Sequence, residues 1–178
     1  MEEKLDIITM GESLIELSSD TRLSCANCLY KYYGGDVLVS AITAQRLGAK
    51  VGFVTRVGND AFKDFLMDSW QTEGLDISQV KVANEPNGFY FISKPNVEEK
   101  EFAYYRKKIA PAKLSVDDVD EDYIKRASIV YSSGITQSLS LSAREAVLKM
   151  FKLAKDNNIM TAYDPNYSNV IHSIESIK

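Results

Sequence analysis

The sequence predicts an α/β fold in which a doubly wound, mainly parallel sheet carries helices on its faces. Three observations lead to this prediction. Short apolar runs rich in β-branched residues, such as LDIITM near the start, alternate with segments whose apolar residues recur at helical spacing. Strands and helices follow one another in the order that is typical of parallel sheets. Polar turns directly follow three of the predicted strands.

The first half of the chain supplies two strand-helix units. The run LDIITMGE is predicted as a buried strand, and SLIELSS continues it in extended form. A helix is predicted from Asp36 to Leu47, with Asp36 as its N-cap and Gly48 just past its end. The strand KVGFVTRVG follows, and a second helix then ends at Gly74.

Residues 77–107 differ in character, because short β-prone pieces alternate there with turn signals. We predict that they form a small antiparallel sheet, separate from the main one. The strand SIVYSS, a long helix over 140–157 and the strand IMTAYD then resume the parallel pattern. The final stretch SNVIHSIESIK has helical spacing but no closing strand. We therefore expect either a fragment or a sheet edge that something else covers.

Composition places the chain among ordinary globular proteins. Its 178 residues are 45% hydrophobic and 26% charged, with a formal net charge of −4. This acidic balance gives no support for a nucleic-acid-binding face, so we expect no nucleic acid partner. No apolar run approaches the length of a membrane span, and the N-terminus lacks a signal-peptide core. We therefore expect no membrane partner and a cytoplasmic location.

Cys25 and Cys28 have the C-x-x-C spacing of many metal and redox sites. A zinc site needs two further ligands, however, and the single histidine, His172, is distant in sequence. A redox pair and two ordinary thiols both remain open, and we favour the ordinary thiols. We expect no metal site built from residues of this chain.

The three polar turns are expected to meet at one edge of the sheet. They are GE at residues 11–12, SSGIT at 132–136 and DPN at 164–166. Ligands of open α/β sheets bind beyond the carboxyl ends of the strands. The three turns therefore predict a single pocket for a polar small molecule.

The adjacent Gly34 and Gly35 open the first predicted helix, where no side chain blocks the approach of a ligand. Backbone N–H groups and the positive end of the helix dipole suit an oxygen-rich molecule there. A plain tight turn between strand and helix is the alternative interpretation. A dinucleotide-binding domain is excluded, because neither G-x-G-x-x-G after the first strand nor a Walker A loop is present.

At these positions the sequence resembles the ribokinase-like (PfkB) carbohydrate kinases, most of all their 2-keto-3-deoxygluconate kinase branch. The matching pieces occur in the family's order and are MGESLIEL, GGDVLVSAITAQRLGAKVGFVTRVGNDAF, EGLDIS, FAYYRK, SSGITQSLS and YDPNY. The resemblance implies that residues 1–178 are the N-terminal part of a single ribokinase-like domain, truncated before its nucleotide-binding half. A β lid formed by about 14–34 and 77–107 would close over the sugar.

The resemblance also implies a set of substrate-binding residues. They are Gly34, Gly35, Asp36, Tyr90, Tyr104, Arg106, Ile135, Asp164 and Asn166. In this arrangement Tyr90, Tyr104 and Arg106 reach in from the lid. The forked guanidinium of Arg106 suits a substrate carboxylate, because it pairs with two oxygens at once.

The activity implied is ATP-dependent phosphorylation of a sugar or a sugar acid such as 2-keto-3-deoxygluconate, with Mg²⁺ neutralising the phosphates. In the family, the base and the anion hole come from a G-A-G-D motif, which this sequence lacks. We therefore expect no catalytic residue in this chain. It would supply the sugar-binding half and the lid, be inactive alone, and form a homodimer through the lid.

Two departures from the family pattern keep other functions open. Val39 stands where the family usually has Asn, and Ser168 stands where this branch usually has Arg. Each replaces a polar contact to the substrate. The alternatives are a non-catalytic carbohydrate-binding or assembly module derived from such a kinase, and a fructose or nucleoside kinase of the same family.

Overall fold

The computed structural model describes residues 3–96 and 99–167. Within these residues the strands are β1 (Leu5–Met10), β2 (Leu14–Ser19), β3 (Tyr30–Gly34), β4 (Val51–Gly58), β5 (Val80–Ala83), β6 (Gly88–Ser93), β7 (Glu101–Tyr105), β8 (Ala127–Ser133) and β9 (Met160–Asp164). The α-helices are α1 (Asp36–Arg46), α2 (Lys63–Thr72), α3 (Glu121–Ile124), α4 (Gly134–Ser138) and α5 (Leu141–Asp156). None of these helices combines the length and apolar character needed to cross a bilayer.

The main sheet has the strand order β5-β4-β1-β8-β9, and every neighbouring pair is parallel. In the middle of the sheet, Ile8 of β1 lies opposite Gly52 on one side and Val130 on the other. The central strands are buried on both faces, which explains their continuous apolar runs. The predicted parallel α/β sheet is confirmed.

Alternate residues of β4 point to two separate hydrophobic clusters. Phe53 belongs to a cluster with Leu38 of α1 and Trp70 of α2. Val54, the next residue, belongs to the other cluster, together with Met150 of α5. Because successive strand residues point to opposite faces, the helices cover the sheet on both sides. This is the doubly wound, three-layer arrangement that the sequence predicts.

The helix ends follow from local chemistry. Ser140 caps α5, since its hydroxyl accepts a hydrogen bond from the Ala143 amide at 3.0 Å. Gly48 and Gly74 have φ of 96° and 86° and lie just past α1 and α2. Glycine adopts this left-handed conformation without the penalty of a side chain. The predicted ends of both helices are therefore confirmed.

A second, four-stranded sheet, called the lid here, has the order β3-β2-β6-β7. Its outer pairs are antiparallel, whereas the central pair of β2 and β6 is parallel. Ile15, Leu17 and Phe89 pack against the cluster that contains α1 and α2. The alternate positions, including Tyr90 and Tyr104, lie on the opposite face of the lid.

Polar contacts attach the lid to the main body. The Tyr33 hydroxyl on β3 donates to Glu73 at the end of α2, at 2.6 Å. The same carboxylate accepts a hydrogen bond from Arg46 Nε at 2.7 Å. One glutamate therefore joins the lid to both helices on that side of the sheet.

The predicted antiparallel sheet over 77–107 is wrong in two respects. Residues 80–83 form β5, which pairs parallel with β4 and is the edge of the main sheet. The chain reaches that position because α2 crosses over the sheet and returns it beside β4. The lid is also mixed rather than antiparallel, since β2 and β6 run in the same direction. The stretch SNVIHSIESIK, with Ser168 and His172, lies outside the described residues.

Candidate functional site

The rim of the site is formed by turns that follow three adjacent strands. Gly11 follows β1, Gly134 follows β8 and Pro165 follows β9, and these strands are parallel neighbours. The turns touch each other: a side chain added at Gly134 would collide with the Pro165 carbonyl, and one at Gly11 would lie 2.7 Å from the Thr136 hydroxyl. The predicted meeting of three polar turns at one sheet edge is confirmed.

Other parts of the protein, rather than a ligand, occupy the space beside Gly34 and Gly35 where side chains would lie. A side chain at Gly34 would collide with the Tyr90 ring, and a Cβ at Gly35 would lie 2.5 Å from the Glu12 carbonyl oxygen. Gly35 also has φ of 127°, a conformation that favours glycine. Gly35 lines the cavity described below, whereas Gly34 is buried beneath Tyr90.

Asp36 has a different local role from the one predicted. It is the first residue of α1, and Gly35 is the N-cap without a side-chain hydrogen bond. The Asp36 carboxylate is therefore available for tertiary contacts, and its Oδ2 accepts a hydrogen bond from Asn166 Nδ2 at 3.1 Å. This bond connects the start of α1 with the turn after β9.

A cavity of about 1010 Å³ lies between the rim and the lid. Seven of the nine predicted substrate residues line it, namely Gly35, Asp36, Tyr90, Tyr104, Arg106, Ile135 and Asn166. Asp164 does not line it. Its Oδ1 accepts a hydrogen bond from the Asn166 amide at 2.9 Å and so orders the turn. Another cavity, of about 830 Å³, lies beside β9 and α5 and contains none of the predicted residues.

The sequence analysis missed Glu12, which follows β1 and lines the cavity. Its side chain is 2% exposed, and its Oε1 lies 2.7 Å from Nη2 of Arg106, which is 15% exposed. Burial raises the pKa of Glu12 to about 7; Arg106 opposes this rise and the nearby Asp36 charge adds to it. Glu12 therefore titrates near neutral pH.

Two carboxylate oxygens at this site have no hydrogen-bond partner in the part of the chain that the structure describes. They are Glu12 Oε2 and Asp36 Oδ1, and both atoms are buried. Buried acceptors are nearly always satisfied, so each is a position for a donor such as a ligand hydroxyl. The cavity therefore offers acceptors suited to a polyhydroxylated molecule.

Aromatic rings of the lid form the opposite wall. Tyr90 and Tyr104 stack with centroids 5.8 Å apart, and Phe102 stacks on Tyr104 at 6.0 Å. The Tyr90 hydroxyl donates a hydrogen bond to Glu16 on β2. Burial and this carboxylate raise the pKa of Tyr90, so the phenol stays neutral. The wall thus presents ring faces held in place by a hydrogen bond.

Cations lie on one side of the cavity. Lys107 and Lys108 follow Arg106 after β7, and all three residues line the cavity. Lys108 has φ of 54°, which marks a sharp turn of the chain at this point. The site therefore combines a cationic side with the acceptors of Asp36 and Glu12.

Other candidates lie away from this cavity. Val39 is 54% exposed on α1 and does not line it, and Ser168 is outside the described residues. Cys25 and Cys28 are free and exposed. Across residues 3–96 and 99–167, no group of three or more His, Cys, Asp or Glu side chains could hold a metal ion.

Comparison with known proteins assigns the family. The model of the pfkB family carbohydrate kinases matches residues 4–177. The chain belongs to this family. A relative, the 5-dehydro-2-deoxygluconokinase of Clostridium beijerinckii, is 36% identical over 169 residues, which are 92% of this chain and 50% of that protein. This chain thus spans about half the length of the curated relatives that it matches.

Solved structures of pfkB proteins share the fold. A PfkB protein from Polaromonas sp. JS666 superposes with a TM-score of 0.92 at 29% identity, over 97% of this chain and 60% of that one. A ribokinase II from E. coli in complex with ATP and Mg²⁺ gives 0.86 at 25% identity, over 97% of this chain and 56% of that one. Both the parallel sheet and the lid therefore belong to the family's architecture.

Proposed function

We propose that this chain supplies the substrate-binding half and the lid of an ATP-dependent kinase that phosphorylates a sugar acid. The observation that carries the proposal is that Arg106 lines the same cavity as Asp36 and Asn166, which offer polar groups for hydroxyls at the rim. A guanidinium in such a site pairs strongly with a carboxylate. A sugar acid has both the carboxylate and the hydroxyl groups that this arrangement would bind.

The substrate class rests on charge and on the relatives. Arg106, Lys107 and Lys108 give the cavity a cationic side, and the curated relatives are named as kinases of 5-dehydro-2-deoxygluconate, an acid. That acid and 2-keto-3-deoxygluconate are the two candidates. Asp36 and Asn166 would bind hydroxyl groups at the rim, and Tyr90 and Tyr104 would cover the sugar and exclude water from the lid side.

Phosphoryl transfer needs further groups besides a bound substrate. It requires a base for the hydroxyl proton and an anion hole for the transferred phosphoryl group, and ATP with Mg²⁺ supplies that phosphoryl group. The described residues offer no acidic or histidine cluster that fits a metal ion, and the sequence lacks the G-A-G-D motif. We infer that these 178 residues bind and orient the acceptor sugar, while residues outside them provide the transfer chemistry.

The decisive experiment is calorimetric titration of the 178-residue chain with 2-keto-3-deoxygluconate and, separately, with fructose. Arg106→Ala should weaken binding of the acid by about ten- to a hundredfold, because a charge-assisted hydrogen bond contributes about 1.5–3 kcal/mol. Fructose affinity should stay nearly unchanged. Arg22→Ala is the control, since Arg22 pairs with Glu99 away from the cavity. Equal losses for both ligands would contradict the carboxylate role of Arg106.

The same titration, extended to 5-dehydro-2-deoxygluconate and a nucleoside and combined with a kinase assay, separates the alternative functions. A fructose or nucleoside kinase would bind its neutral ligand more tightly than either acid. A non-catalytic carbohydrate-binding module would bind sugar even if the full gene product lacked kinase activity. With ATP and Mg²⁺ added, the 178-residue chain should show no turnover of either acid, and measurable turnover would place the missing catalytic groups within these residues.

We also propose that the lid pairs with the lid of a second copy to form a homodimer. Tyr30 and Tyr32 of β3 and Phe102 of β7 are half exposed on the same sheet that covers the cavity. Exposed aromatic rings on one sheet are typical of interaction surfaces. The cytoplasmic location expected from the sequence stays a prediction.

A further inference from the structure

The pair of Glu12 and Arg106 raises a question that follows from the proposed function. Arg106 is the group assigned to bind a substrate carboxylate, yet in this structure Glu12 already contacts it at 2.7 Å. The pair lies in the wall of the cavity, with Glu12 almost fully buried. An anionic ligand at Arg106 would therefore meet a carboxylate that already neutralises the guanidinium.

The carboxylate of Asp36 makes this conflict sharper, whereas the neighbouring lysines oppose it. Asp36, at the start of α1, adds a second carboxylate to the same cavity. Lys107 and Lys108 lie after β7 with Arg106, and the Tyr90 phenol on β6 is neutral because its pKa is raised. Asn166, after β9, brings no charge but donates to Asp36. Like charges repel strongly where burial limits solvent screening, so a third carboxylate would be costly with Glu12 ionised.

Protonation of Glu12 would remove this electrostatic repulsion. Its Oε1 contacts Arg106, whereas its Oε2 is buried and without a hydrogen-bond partner among the described residues. A proton on Oε2 would convert this atom from an acceptor into a donor. The neutral acid would leave the charge of Arg106 for the ligand and could itself donate to a ligand oxygen.

We propose that Glu12 is a proton-dependent counter-ion of Arg106, which takes up one proton from solvent when a sugar acid binds to the guanidinium. The proton joins a carboxylate oxygen of Glu12, and no other covalent bond is made or broken. The positive charge of Arg106 is thus neutralised by Glu12 in the free chain and by the ligand in the complex. Glu12 thereby becomes a specificity-determining residue for acids over neutral sugars.

The expected pH dependence has a definite sign. The pKa of Glu12 is about 7 in the free chain, and a bound anion raises it further. Below pH 7 the carboxyl is mostly protonated before binding, so the affinity for the acid is nearly constant. Above pH 7 each binding event must add a proton, and the affinity falls by up to about tenfold per pH unit. A neutral sugar shows no such fall.

The test is calorimetric titration of the 178-residue chain with 2-keto-3-deoxygluconate between pH 6 and 9, in buffers of different ionisation enthalpy. Wild type should take up nearly one proton per ligand at pH 8 and about a tenth of one at pH 6. Glu12→Gln, which mimics the neutral acid, should bind with pH-independent affinity and no uptake. Glu99→Gln is the matched control: Glu99 also pairs with an arginine, Arg22, at 3.1 Å, but on the surface and outside the cavity.

Each outcome decides the proposal. Tight binding of the acid without proton uptake, or uptake that persists in Glu12→Gln, overturns the role of Glu12 and leaves the sugar-acid kinase standing. Binding of fructose alone overturns both the role of Glu12 and the acid substrate. Binding of neither ligand removes the proposed function together with this inference.

A second measurement needs no variant. Carbon-13 spectra of the wild-type carboxyl groups should show the titration midpoint of Glu12 rising by at least two pH units when 2-keto-3-deoxygluconate saturates the chain. A midpoint that stays in place would overturn the proposal even if Glu12→Gln fails to fold.

Discussion

Both its backbone conformation and its close neighbours restrict position 35 to glycine. Its φ is 127°, and the Glu12 carbonyl oxygen lies 2.5 Å from the position of a Cβ atom. Gly48 has a similar φ of 96°, but nothing lies within 4 Å of its Cβ position. The two glycines therefore separate the effect of backbone conformation from the effect of crowding.

We predict that Gly48→Ala lowers the free energy of unfolding by about 1 kcal/mol, the cost of a left-handed conformation alone. Gly35→Ala should lower it by about 1–3 kcal/mol more, because the backbone carbonyl of Glu12 cannot move aside cheaply. Urea denaturation of both variants measures the difference. Equal losses would show that the loop of Glu12 relaxes freely around an added methyl group.

Single residues also mark what the sequence could and could not predict at the site. Seven of the nine substrate residues implied by the family resemblance line the cavity. Sequence patterns alone pointed to the rim turns and the start of α1, whereas Tyr90, Tyr104 and Arg106 followed only from the resemblance. Glu12 was quoted within its motif but not singled out. A glutamate after a strand looks the same whether it faces solvent or lies buried against Arg106, since its burial depends on a partner that is distant in sequence.

At the level of whole elements, one glutamate, Glu73, attaches the lid to the body. Glu73 contacts Tyr33 of the lid and Arg46 of α1. Hydrogen bonds from Arg46 and Tyr33 lower the pKa of Glu73 to about 2. Because the folded-state pKa is depressed, the stabilisation is fully present above pH 4.5 and is lost as the pH falls toward 2.

We predict that Glu73→Gln lowers the free energy of unfolding by about 1 kcal/mol at pH 7, a modest value because Arg46 is largely exposed. The difference from wild type should shrink between pH 4.5 and 2. Hydrogen exchange of the β3 amides should speed up in the variant. Glu121→Gln, which breaks an exposed pair with Lys125 on α3, should leave β3 exchange unchanged. Unchanged exchange in Glu73→Gln would contradict the attachment role.

β5 was predicted in the small sheet but lies in the main sheet. A strand is therefore easier to predict from sequence than the sheet to which it belongs. The run VKVA is short, with Lys81 and Val82 both exposed, so its pattern is compatible with either sheet. The deciding information is the parallel register of Thr55 with Val80, a contact between residues far apart in sequence. The pairing of β2 with β6 is likewise non-local. Local patterns predicted where strands lie, and tertiary pairing decided their neighbours.

For the whole molecule, the proposed homodimer makes a direct prediction. Tyr32→Ser removes an exposed ring, 53% accessible, from the β3 edge of the lid. If lids pair, this variant should shift sedimentation of the 178-residue chain toward the monomer and weaken self-association at least tenfold, as expected for an aromatic anchor. Leu148→Ser, on the exposed side of α5, is the control and should change nothing. A wild-type monomer at all concentrations would contradict the proposal.

The lid is built from two separate stretches of chain, with α1, β4, α2 and β5 between them. Its central pair joins one strand from each stretch, β2 and β6. A chimaera that imports only one stretch from another kinase would leave foreign and native strands facing each other across that seam. Recombination within this family should consequently tolerate crossover points outside residues 14–105 far better than points inside them.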